Sequence, residues 1–186
     1  MNLLDHLRRM SGNNLWSNDR LYRAVLSLQP GEFEAERTSF FPSIKATLNH
    51  ILAVDYLYLD FLEEGGLGAA VHDDFVPFDE PRALFAAQVA TDRRLIAFCD
   101  GLSADDLDRR VITDRRKDGM IPECIGDILA HVFLHDIHHR GQVHAMLSGT
   151  SVKPPQLDEF LLDYDVKLRE KEVERLGLDD QTNATS

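Results

Sequence analysis

Apolar residues recur at three- and four-residue intervals in five stretches of the chain, as expected of helices with one buried face. The first covers about residues 2–28, with Leu3, Leu4, Leu7, Met10, Trp16, Leu21, Val25 and Leu28 in phase, and stops at Pro30-Gly31. The second follows Pro42-Ser43 and runs to Glu64, where Gly65-Gly66 ends it. The third opens at Pro81, a residue suited to a first helical turn, and closes at Asp100-Gly101. The fourth covers about residues 123–147, and a shorter fifth, about residues 157–176, follows Pro154-Pro155. Between the third and fourth, residues 109–113 and 120–121 flank a Lys117-Asp118-Gly119 turn and predict a small hairpin. Four long helices with short to moderate connections predict an all-α fold. The expected form is a four-helix bundle, up-down-down-up or similar, with a short C-terminal helix and the hairpin before the fourth long helix.

With 186 residues and 44% hydrophobic content, one core can form without disulfide staples. No repeat or long linker divides the chain, so residues 1–176 are expected to form one domain and the polar residues 177–186 a disordered tail. Thirty-two acidic residues against 20 basic ones give a net charge of -12, which repels phosphate backbones and anionic lipid. The densest basic run, Arg109-Arg110 and Arg115-Arg116-Lys117, is broken by Asp114 and flanked by Asp108 and Asp118. Nucleic acid and membranes are therefore not expected partners. Cys99 and Cys124 are the two cysteines, without CxxC spacing, and point to a reducing compartment and small apolar roles. The first residues lack a signal-like apolar stretch, and no window approaches the ~18 apolar residues of a membrane span, so a cytoplasmic location is expected.

The chemistry lies in the histidines. Four of the 8 crowd into nine residues of the fourth stretch: His131, His135, His138 and His139. Positions i and i+4 of a helix lie about 40° apart, so His135 with His139, or His131 with His135, can chelate one ion. Helical projection puts Cys124, Ile128, His131, Val132, His135, His139, Gln142 and Met146 on one stripe, which turns these imidazoles inward. A shared metal relieves the cost of burying them unpaired, and ordinary core histidines bonded to carbonyls or water are the alternative. A third ligand must come from another helix. The second offers His50, on a face with Ala46, Thr47, Val54, Leu57 and Phe61. His6 and His72 read as surface residues, and His144 falls on the opposite face of its helix. That opposite face also carries Phe133 and Ile137 with Arg140 beside them, so the helix is buried on two sides, against a homodimer partner or within the monomer. Gly141, costly inside a helix, suggests a close helix approach.

These residues resemble the DinB family of damage-inducible, metal-binding four-helix bundles. The likeness rests on Asn13-Asn14-Leu15-Trp16-Ser17-Asn18 with Leu21-Tyr22, and on Thr47-Leu48-Asn49-His50 continuing to Asp55. It rests also on His135-Asp136-Ile137-His138-His139-Arg140-Gly141-Gln142 and on Pro154-Pro155-Gln156-Leu157-Asp158. The resemblance implies that His50, His135 and His139 are the metal ligands, with His131 and His138 as neighbours.

Three imidazoles leave a coordination position open, a pattern associated with catalytic rather than structural zinc, and nickel or iron suits the same set. Asp136 gives an H-D-x-x-H string like that of zinc proteases, but its carboxylate is one carbon shorter than the Glu that serves there as base. Asp55 lies about 140° around the helix from His50 and reads as a hydrogen-bond partner of another helix. Gln142 can orient a water or a histidine ring, and Arg140 projects away from the metal. Relatives of such bundles include metal-dependent thiol transferases, so the resemblance implies one divalent ion per chain and a low-molecular-weight thiol or other small-molecule substrate. A non-catalytic metal-binding stress protein and a metal-dependent hydrolase are the competing readings. Residues 65–80 and 109–117 are expected to form the rim of the site.

Overall fold

In a computed structural model, residues 2–178 of the chain are described. Helix α1 (Leu3–Val25) starts where the Asn2 side chain accepts the Asp5 N–H at 2.8 Å, and α2 (Ile44–Leu62) where Ser43 caps the Ala46 N–H at 3.1 Å. A single turn, α3 (Ala70–Asp73), precedes α4 (Pro81–Gly101), which has proline in its first turn. Strands β1 (Arg110–Asp114) and β2 (Met120–Cys124) pair antiparallel, Arg110 opposite Cys124 and Asp114 opposite Met120. Helix α5 (Ile125–Leu147) follows β2 without a break, and α6 (Val166–Leu176) ends at Gly177 in the left-handed conformation. The protein is thus mostly helical with a small two-stranded sheet, and the hairpin is longer than its sequence pattern suggested. The residues of the expected tail from 179 onward lie outside the described ones. No helix among the described residues is long and apolar enough to cross a membrane.

Helix α1 packs on α4 and α5, and α2 packs on α5 and α4. Their apolar faces form two core clusters. One contains Leu7, Leu59, Leu95 and Leu129, and the other Leu21, Leu48, Leu84 and Val143. Cys99 is fully buried in the first, and Cys124 is half-buried; both are free thiols. In sequence, each long helix passes from one cluster to the other through a buried polar layer: Asn14 and Asn18 on α1, Asp55 on α2, Gln88 and Asp92 on α4, Asp136 and Arg140 on α5. Asn14 and Asn18 each donate to Asp92, at 3.2 Å and 3.0 Å, and accept from Arg140 Nη1. Gln88 Nε2 donates to Asp55 at 2.7 Å and to Asp92 at 3.1 Å, which bears out Asp55 as an interhelical partner. A buried charge is costly unless it is hydrogen-bonded or paired, so this layer ties the four helices to one arrangement.

Two expectations are corrected, and one open alternative is narrowed. The fifth stretch is helical only from Val166; residues 157–162 run as irregular chain before a 3₁₀ turn at Asp163–Asp165. Side chains occupy the carbonyls that a helix would have used. His144 Nε2 lies 2.9 Å from Pro155 O, while Arg20 donates to Gln156 O, Ser17 to Leu157 O and Arg9 to Leu161 O. Gly141 marks no close helix approach, because a Cβ built there meets nothing within 4 Å. The second face of α5 is partly covered within the monomer: Phe133 and Arg140 are buried, and Ile137 faces the irregular segment across a cavity.

Arg20 fastens the C-terminal region to α1. Its guanidinium donates to Glu159 at 2.9 Å, to both Glu172 carboxylate oxygens, and to the carbonyls of Gln156 and Leu168. Beside it Asp19 pairs with Arg175, and the Trp16 indole donates to Glu172 at 2.8 Å.

Candidate metal centre

His50 projects from α2 and His135 and His139 from α5, two helices in direct contact. One nitrogen from each lies within 4.8 Å of the other two. The Nε2 atoms of His50 and His135 are 3.0 Å apart, and the ring of His139 stands 4.7 Å from that of His50 and 4.5 Å from that of His135. At the ~2.0–2.1 Å bond of zinc to imidazole, tetrahedral ligand atoms stand about 3.3 Å apart, so the His50–His135 edge is close to that of a filled site. The donor set fits a borderline divalent cation.

The other ring nitrogens are held from outside. Gln142 Oε1 lies 2.9 Å from His139 Nδ1, which places the proton on Nδ1 and leaves the Nε2 lone pair for a metal. Asp136 Oδ1 stands 3.5 Å from His135 Nδ1, at the outer limit of a hydrogen bond. Asp136 is fully buried in the polar layer, 3.7 Å from Arg140, and does not face the triad as a protease-like base. Burial pushes His50 down to about 4, with His135 and His139 nearby adding to the effect. Burial also lowers His139, against the Gln142 hydrogen bond that raises it. Both rings are therefore neutral at pH 7, the form that binds a metal.

Phe41, from the segment between α1 and α2, covers the triad. Its ring is 4.3 Å from that of His50 and 5.6 Å from that of His139. Nothing in the sequence pattern marks this residue, because its segment has no periodicity. His131, placed inward by helical projection, is exposed. It lies one turn from His135 with ring centres 6.4 Å apart, against Tyr58 at 5.0 Å. His138 is also exposed and meets Gln142 Nε2 at 3.0 Å. His72 is exposed, His6 half-buried, and His144 bonds to Pro155.

Both expected rim segments touch α2, the helix that carries His50. Arg115 of the hairpin donates to Tyr58 Oη at 3.1 Å and pairs with Glu123 at 2.5 Å. The segment after α2 is pinned beside His50, since Asn49 exchanges hydrogen bonds of 3.0 Å and 2.7 Å with the backbone of Phe78.

The chain is similar to known proteins in sequence and in fold. The sequence model of the DinB family matches residues 3–171. Protein DinB of Bacillus subtilis (strain 168) is 23% identical over 142 residues, 72% of this chain and 80% of that protein. The crystal structure of a DinB-like protein from Bacillus subtilis superposes with a TM-score of 0.57 at 16% identity, covering 80% of this chain and 96% of that one.

Proposed function

This chain belongs to the DinB family, and we propose that it holds one divalent ion on His50, His135 and His139 and acts as a metal-dependent thiol transferase. Zinc or nickel is the expected ion, and iron also suits three imidazoles. The unit responsible is residues 1–176, with the long helices in the up-down-down-up order or a similar one. One observation carries the reading: three histidine nitrogens converge, and no fourth protein ligand joins them among the described residues. A metal held there supplies Lewis acidity, which favours the deprotonated form of a thiol or water placed beside it.

The chain's own residues do the rest. Gln142 fixes the ring of His139, and Phe41 keeps water from one side of the triad. Tyr58 follows His50 by two helical turns, about 12 Å along the α2–α5 groove. There Arg115 offers a cation, shared with Glu123, for the carboxylates of a low-molecular-weight thiol. Leu134 and Ile137 on α5 are exposed apolar side chains open to a homodimer contact, which sedimentation tests.

The test is elemental analysis of untagged wild type beside His50→Ala, His135→Ala and His139→Ala, followed by a screen of thiols with electrophiles. About one equivalent of metal in wild type, lost in each variant, together with thiol-dependent turnover, is the expected outcome. Metal without turnover would leave the non-catalytic stress-protein reading, and turnover with water alone would make the protein a hydrolase. A wild type that takes up no metal would remove the triad as a site.

A further inference from the structure

On the side of α5 away from the metal centre, a cavity of about 480 Å³ opens between α1, α5 and the irregular segment at 156–161. Met10, Ile137, Leu157, Phe160 and Leu161 make its walls apolar. Its size lies in the range of small-molecule sites, ~300–1,000 Å³. Arg140 also lines it and is only 4% exposed. The hydrogen bonds of this guanidinium run through Nη1, to Asn14 and Asn18, and Nε and Nη2 have no hydrogen-bond partner among the described residues. Asp136 stands 3.7 Å from Nη1, a counter-charge beyond hydrogen-bond reach. Gly141, next along the helix, also lines the cavity, and a Cβ there would meet nothing within 4 Å.

We propose that this cavity is a second binding site, for a small apolar molecule ending in an oxygen acceptor. Nε and Nη2 form the edge of a guanidinium that meets a carboxylate or carbonyl oxygen with paired N–H donors. That edge is the part of Arg140 left without a partner, and the surrounding wall offers aliphatic and aromatic surface for the body of the ligand. A carboxylate and an uncharged carbonyl share this chemistry. Asp136 behind the guanidinium and Asp158 at the lining favour the uncharged form, whereas the fork geometry favours the carboxylate. The site is separate from the metal triad and stands whether or not that triad binds an ion.

The single tryptophan supplies a reporter, because Trp16 lies 5.4 Å from Phe160 of the cavity wall. Decanoic acid and methyl decanoate would be titrated into the full chain, following Trp16 emission and the heat of binding. At least one probe is expected to bind saturably. Acid alone would identify the carboxylate as the preferred end group, and ester alone the carbonyl. Gly141→Leu fills the cavity from a position with open space, so it is expected to fold, keep its metal content and bind at least about tenfold more weakly. Ile137→Glu is expected to weaken the acid more than the ester. Absence of saturable binding by either probe would overturn the proposal, as would undiminished binding to Gly141→Leu. So would a wild-type dimer that Gly141→Leu dissociates while neither probe binds, since the cavity would then be covered by a second copy.

Discussion

Gln142 meets two histidines with opposite ends of one amide: Oε1 lies 2.9 Å from His139 Nδ1, and Nε2 lies 3.0 Å from His138 Nε2. The oxygen selects the tautomer of His139 that presents Nε2 to the triad. An outer partner of this kind typically contributes 10–100-fold to metal affinity, about 1.4–2.8 kcal/mol. Gln142→Ala is expected to weaken metal binding by about that factor in chelator competition with helicity unchanged, and Gln142→Glu to retain most of it. Equal affinity for Gln142→Ala and wild type would remove the amide from the site.

His50 gives the metal-free protein a dependence on acid. Its ring is held at about 4 in the folded chain against 6.5 when unfolded, so between these values the unfolded chain binds more protons. The contribution is fully present above 6.5 and is lost as pH falls towards 4. Urea midpoints of metal-free protein should decline over that window, and His50→Gln should flatten the decline. Parallel profiles for the two proteins would contradict the assignment.

The buried acids work in the other direction. Burial first, and then Asp136, raise Asp55 well above its ordinary 3.8. Asp55 Oδ1 and Asp136 Oδ2 have no hydrogen-bond donor as ionised groups, and one proton between them gives both a partner. An acid raised on folding contributes stability that is full below 3.8 and is lost as pH rises towards the folded value, at about 1.4 kcal/mol per pH unit. Asp55→Asn keeps an acceptor for Gln88 and supplies a permanent N–H towards Asp136. Its urea midpoint should therefore exceed that of wild type at pH 8 and vary less with pH. A variant less stable than wild type at pH 8 would show that Asp55 folds as a carboxylate.

Gly141 offers a simpler change. With nothing within 4 Å of a built Cβ and an ordinary helical backbone, Gly141→Ala should stabilise by about 0.4–1 kcal/mol. The check is the shift in urea midpoint at unchanged slope, and a destabilised variant would mean that the cavity wall closes at this position.

The long helices were legible because their apolar spacing, caps and stop residues agree, and the His135–His139 spacing was legible because it is local. Helical projection gives direction around an axis but not how far a neighbouring helix extends along it, so it turned His131 inward where the groove leaves it exposed. The polar layer was harder to see. Asp55, Asp92, Asp136 and Arg140 come from three helices, and no spacing within one helix reveals that they meet. Residues 157–162 carry leucines at plausible intervals, yet Arg9, Ser17 and Arg20 take their carbonyls from outside. Phe41 came from a stretch with no pattern at all.

The attachment of the C-terminal region at Arg20 has a consequence for how the molecule comes apart. One arginine on α1 contacts Gln156, Glu159, Leu168 and Glu172, so a single side chain spans the irregular segment and α6 together. Chain in this arrangement detaches as one piece rather than fraying residue by residue. Protease cuts in the partly opened protein should thus gather in the Ser148-to-Pro155 connection, releasing the last thirty or so residues as one fragment and leaving the four long helices whole.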